Sequence, residues 1–176
     1  MTPLCLPPDA ARLCEELAAP PLLVRHLVLV HDAGGDLLDG LTAAFPGLVL
    51  DRATILFGAA THDLGKVLHA RELTGPGDLH ERDGPGLLEE HCVLPRLARF
   101  AGTHGRWRET DDLEDLLVAL ADAIWCGRRI EQLEMKVAAI LAAMTGLERW
   151  AAWSKLDAMC GEIASRSENR LAWIQS

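Results

Sequence analysis

Apolar residues in this chain recur every three or four positions, and nowhere do they settle into the every-second-residue alternation that a half-buried strand needs. That pattern argues against a sheet-based core and leaves packed helices. Composition agrees: 49% of the 176 residues are hydrophobic, yet there are three Phe, five Trp and no Tyr. A core of Leu, Ala, Val and Ile with so few aromatics fits helices better than sheets. The length suffices for one sizeable core. The expectation is therefore one all-α domain over residues 1–176, a bundle of seven to eight helices without significant sheet.

Local signals divide the chain. "PPDAARLCEELAAP" reads as a first helix capped by Asp9 and ended by Pro20. Pro21 opens a longer helix, about 21–44, which "FPG" stops. A third helix runs from Asp51 to His62, with Gly65 just beyond it. "LHERDGPGLLEEH" reads as helical at both ends, with an awkward Gly84-Pro85-Gly86 interior expected to kink or delay the helix. Pro95 to His104 forms another helix. "DDLEDLLVALADAIWCGRR" follows, acidic at its start and ending on Arg128 and Arg129, as the helix dipole favours. Helices at about 131–143 and 147–172 complete the chain.

Charge and cysteine usage narrow the function. Lys and Arg total 17 against 26 Asp and Glu, a net of −9, so binding to nucleic-acid polymers or anionic membranes is not expected. A small phosphorylated ligand held by a few local cations remains compatible. The five cysteines are scattered without a C-x-x-C pair, which argues against a disulfide framework or thiolate zinc site and makes the cytoplasm the expected compartment. "MTPLCLPPDA" lacks a signal-peptide pattern, and the apolar stretch "PPLLVRHLVLV" is too short to span a bilayer.

The informative positions are ionisable groups placed where the helical pattern expects burial. His26 has Leu22, Leu23, Leu29 and Val30 at helical offsets, and Asp122 has Val118, Ala119, Trp125 and Cys126. A buried carboxylate needs a partner, and a metal ion, a buried His or a backbone cap would serve. Arg128 and Arg129 lie too far along to fold back to it. His62 and Asp63 end an apolar run, "ILFGAAT", with Lys66 close behind. A second pair, His31-Asp32, has no nearby cation and is read as surface or helix packing. His69 is expected to be exposed.

The ordered set His26, His62-Asp63, His80, His104 and Asp122, with "VRHLVLV", "GAATHDLGKV" and "LLVALADAIWCGRR" around it, resembles the HD-domain metal-dependent phosphohydrolase superfamily. The resemblance covers about residues 20–130, and the helices at 131–172 lie beyond it. It implies that His26, His62, Asp63 and Asp122 are metal ligands, and that His80 and His104 are the additional pair of two-metal members, with Asp63 bridging. His91 is the alternative third histidine, and Pro85 and Thr103 depart from the usual pattern, so a one-metal site stays open.

Imidazole and carboxylate ligands without thiolate suit one or two divalent Fe, Mn, Co, Ni or Zn ions. Such ions activate a water or hydroxide for attack on a phosphate ester or anhydride of a nucleotide or other small phosphorylated substrate. Asp63 and Lys66 are the implied catalytic residues, with Lys66, Arg128 and Arg129, joined by Arg106, gripping phosphate oxygens. Base stacking would fall to Trp107, Trp125 or Phe100. A homodimer is compatible with this plan. A di-iron oxygenase on the same fold and a non-catalytic signalling or scaffold domain are the competing readings.

Overall fold

The computed structural model describes Pro3 and residues 5–175, and among them there is no strand. The helices are α1 (Pro8–Glu16), α2 (Pro21–Ala44), α3 (Arg52–Thr61), α4 (Leu79–Glu90), α5 (Pro95–Ala98), α6 (Phe100–Thr103), α7 (Leu113–Ile124), α8 (Glu131–Thr145), α9 (Arg149–Ser165) and α10 (Ser167–Ile174). Short 3-10 turns cover Leu64–Val67, Ala70–Leu73 and Trp107–Glu109. Among the described residues no helix is long and apolar enough to cross a membrane.

Helix starts follow local chemistry. Pro8 and Pro21 occupy first helical positions, where a missing N–H removes no bond. Asp51 caps α3 by accepting from Thr54 N at 3.0 Å, and Asp112 caps α7 through Glu114 N and Asp115 N. Asp9 is not the cap of α1: Pro7 holds that place, and Asp9 sits in the first turn, where its charge meets the helix dipole. That helix also stops at Glu16, earlier than Pro20 suggested.

Four further boundaries differ from the sequence reading. The Gly84-Pro85-Gly86 segment does not interrupt α4, which is continuous from Leu79 to Glu90. Those small residues are a packing surface: a Cβ on Gly84 would lie 3.0 Å from Ala101 Cβ, and one on Gly102 would lie 3.0 Å from Pro85 Cγ. The Pro95–His104 helix is two short segments meeting at Arg99. Helix α7 stops at Ile124, before the arginines expected at its end. Arg166 separates α9 from α10.

Two apolar clusters form the interior. The larger joins Leu29, Leu37, Ile55, Leu116, Leu141 and Leu156, from α2, α3, α7, α8 and α9. The smaller joins Leu13, Leu27, Leu64, Leu88 and Ala101. Helix α3 contributes Ile55 and Ala59 to the first, and the turn after it contributes Leu64 to the second. His62 and Asp63 lie on that crossing, which is why both are buried although both are polar.

Candidate metal centre

Asp63 is the hub. Its Oδ2 faces His26 Nε2 at 3.0 Å and His62 Nε2 at 3.7 Å, while its Oδ1 faces His80 Nε2 at 3.2 Å and His104 Nε2 at 3.4 Å. Asp122 Oδ1 lies 3.5 Å from both His26 Nε2 and His62 Nε2. The six expected side chains therefore converge from α2, α4, α7, and the ends of α3 and α6. Gly65 permits the approach of two of these elements: a Cβ there would sit 2.3 Å from the His80 carbonyl oxygen and 3.0 Å from Gly84 Cα. The turn bearing Asp63 can thus lie against α4.

Outer hydrogen bonds fix which ring nitrogens face inward. His62 Nδ1 lies 3.0 Å from the Ala59 carbonyl and His104 Nδ1 lies 3.1 Å from the Phe100 carbonyl. A carbonyl only accepts, so each Nδ1 carries the proton and, in a neutral ring, each Nε2 presents a lone pair. His80 Nδ1 likewise meets Glu72 Oε2 at 2.6 Å. Asp63 Oδ1 is buried without a hydrogen-bond partner among the described residues. Lone pairs and carboxylate oxygens facing one another at these distances require positive charge between them.

The electrostatics point the same way. Burial would raise the Asp63 carboxyl, but the charge of His62 and contacts with His104, His26 and His80 hold it well below the usual carboxylate range. Asp122 is also lowered, because His62 and His26 outweigh its burial. His80 is raised: burial opposes its charged form, yet Asp63 and Glu72 prevail. Three sets of ligating atoms, each within 4.8 Å of one another, could hold an ion: His26, His62 and Asp122; His62, Asp63 and His104; and His80, Glu81 and His104. The donor set fits hard to borderline divalent ions.

The cluster floors a pocket of about 400 Å³ whose lining includes Lys66, Glu81, Trp107, Arg108, Arg128 and Ile130. A family model described as HD domain matches residues 37–124, half of the chain. The chain belongs to the HD domain family. Proteins with an HD domain are typically metal-dependent hydrolases that bind divalent metals, and this HD domain has His/Asp clusters that could hold one. The match contains His62-Asp63, His80, His104 and Asp122 and begins after His26, which the fold brings to the same cluster. Comparison with curated proteins and with solved structures gives no match.

Other expectations about the site sort by geometry. Lys66 Nζ contacts Asp63 Oδ2 at 2.5 Å. Arg128 does return to Asp122, Nη2 to Oδ2 at 3.7 Å, contrary to the reading that it cannot fold back. Gly127, with φ +86°, reverses the chain just past α7 and brings it round. Arg129 is not brought to the pocket: its guanidinium forks onto buried Glu134 at 2.7 and 2.6 Å and also meets Asp157 at 2.6 Å. Arg106 is turned to the Gly102 carbonyl, and Phe100 is wholly buried in the core. Trp107 lines the pocket and Trp125 packs edge-on against His26.

His80, not His91, reaches Asp63, since His91 lies beside Glu16, Nδ1 to Oε2 at 3.5 Å. His31 is buried, and Asp32 pairs with buried Arg170 at 3.1 Å, so this second pair packs helices together. His69 is partly covered and bound to Asp83 at 2.9 Å, not exposed. Sequence reasoning missed Glu72, Glu81 and Arg108. Only Glu81 carried a signal, its place beside His80 in the H-E-x-x-G segment.

Proposed function

We propose that this HD domain is a metal-dependent phosphohydrolase that cleaves a phosphate ester or anhydride in a nucleotide or another small phosphorylated substrate. One observation carries the reading: the two oxygens of Asp63 divide between two groups of inward-facing imidazoles. That division suits a carboxylate shared by two ions. His26, His62 and Asp122 would hold one and His80 and His104 the other, with Glu81 within reach. Divalent ions bound there supply Lewis acidity toward phosphoryl oxygens and acidify a bound water.

The chain's own residues supply the rest. Nδ1–H bonds to Ala59 and Phe100 keep His62 and His104 oriented with Nε2 inward. Lys66, 21% exposed at the pocket edge, can transfer its ammonium from Asp63 to an incoming phosphoryl oxygen. Arg128 stands on the same pocket with an exposed guanidinium that can grip a second anionic oxygen. Trp107, Ala119 and Ile130 give the pocket apolar wall for the remainder of a small substrate.

The test combines metal analysis with a phosphate-ester panel assayed in Mn²⁺, Co²⁺, Ni²⁺ and Fe²⁺. Wild-type protein is expected to bind ion and release phosphate, and Asp63→Ala to lose both while keeping its helical circular dichroism. Absence of phosphate release across the panel, together with iron-dependent oxygen uptake, overturns the hydrolytic reading.

A further inference from the structure

Glu72 belongs to no recognised motif, yet it is buried, with its side chain 7% exposed. It stands on the 3-10 turn Ala70–Leu73, and both its oxygens are used. Oε1 accepts from Leu79 N at 3.2 Å, and Oε2 accepts from His80 N at 3.1 Å and from His80 Nδ1 at 2.6 Å. The intervening loop closes tightly over it: a Cβ on Gly77 would fall 2.2 Å from Glu72 Oε1. A carboxylate is thus held directly under Gly77, where the loop has no room for a side chain of its own, and is aimed at the outer nitrogen of one imidazole.

We propose that Glu72 is a positioning residue that locks His80 with Nδ1 protonated and Nε2 directed at Asp63 Oδ1, and so sets the affinity of that half of the cluster for a divalent ion. The inference rests on the reading of His80 as a ligand. The chemical reason is that Nδ1 needs an acceptor, and a carboxylate adds charge to that acceptor. A neutral imidazole exchanges its proton between two nitrogens, and only an acceptor at Nδ1 leaves Nε2 free to donate its lone pair. His62 and His104 are oriented by backbone carbonyls, whereas His80 receives a charged acceptor. Its ring donates to Glu72 on one side and faces Asp63 Oδ1 on the other, 3.2 Å away. The stretch from Asp63 to His80 therefore provides the shared carboxylate, the Lys66 cation, the Glu72 orienting group and the ligand it orients.

A simple helix cap makes a different prediction. Loss of the bonds to Leu79 N and His80 N alone would weaken the fold without separating one ion from the other. Titration calorimetry with Mn²⁺ on the full chain distinguishes the two, using wild type, Glu72→Ala, Glu72→Gln, His80→Ala and the Glu72→Ala/His80→Ala double variant. Wild type is expected to bind two ions and His80→Ala one. Glu72→Ala should weaken the second ion by about 10- to 100-fold, the range for loss of an orienting partner, and leave the first as in wild type. Glu72→Gln should fall between, because its carbonyl still accepts from Nδ1 without charge. If Glu72→Ala fails to fold, this variant decides. The double variant should bind metal as His80→Ala does, since Glu72 acts through His80.

Wild-type affinity for both ions in the Glu72 variants overturns the proposal. So does equal weakening of both ions, or a double variant worse than His80→Ala. A single ion in wild type, unaffected by His80→Ala, overturns the reading of His80 as a ligand and this inference with it.

Discussion

Replacing Arg170 by Met tests how the C-terminal helices support the site-bearing helix. Arg170 is completely buried on α10, and its guanidinium contacts Asp32 Oδ2 at 3.1 Å, Asp36 Oδ2 at 2.8 Å and the Ile163 carbonyl at 3.0 Å. Asp32 and Asp36 lie on α2, the helix that also carries His26. Methionine keeps most of the apolar stem and removes the charge. Breaking a buried ion pair from one side costs about 3–5 kcal/mol. Asp32 and Asp36 are 15% and 33% exposed and can recover water, and Asp36 retains Arg166 at 3.1 Å. A loss of about 2–3 kcal/mol is therefore expected. For a chain of this length each kcal/mol moves Tm by about 2–4 °C, so Tm should fall by about 4–12 °C. Thermal unfolding followed by circular dichroism at 222 nm measures the shift, with metal content per folded molecule checked at 20 °C. A fall under 2 °C refutes the argument that this cluster clamps α10 to α2.

Two further perturbations separate packing from chemistry. Burial lowers the pKa of His31, whose Nδ1 has no hydrogen-bond partner among the described residues. As pH falls below the ordinary histidine value of about 6.5, the unfolded chain takes up the proton first, so native stability declines from there downward. His31→Leu should raise Tm and flatten its dependence between pH 7 and pH 5; an unchanged slope in that window refutes the assignment. Arg128→Ala should raise KM for a phosphate substrate about tenfold, the scale of one charge-assisted hydrogen bond. Arg129→Ala should instead lower Tm with little change in KM, because it leaves buried Glu134 without its fork. Interchanged effects would show that the pocket has been drawn around the wrong arginine.

The candidate site residues that the hydrophobic pattern itself singles out share one property: each interrupts an apolar helical run, whereas His80 and His104 entered only with the family resemblance. His26 among leucines, Asp122 between Val118 and Trp125, and His62-Asp63 after "ILFGAAT" stand out because the surrounding period forecasts burial. The all-helical fold and the long helix from Pro21 to Ala44 are legible for the same reason. Where no period exists, that signal vanishes. Glu72 sits on a four-residue 3-10 turn and Arg108 on a three-residue one, so neither position forecasts which way a side chain faces. The expectation that Arg128 cannot reach Asp122 extends an idealised helix past Ile124, whereas one glycine at positive φ reverses the chain. Pro85 suggests a kink or delay because propensity treats the helix in isolation. In the folded molecule the Gly84-Pro85 surface is what lets α4 approach α6 and the Asp63 turn, and that approach sets His80 against Asp63. The residues that look least helical in α4 are therefore among those that assemble the site. Bulkier side chains at Gly65 or Gly84 would push His80 away from Asp63 even with all six converging side chains unchanged.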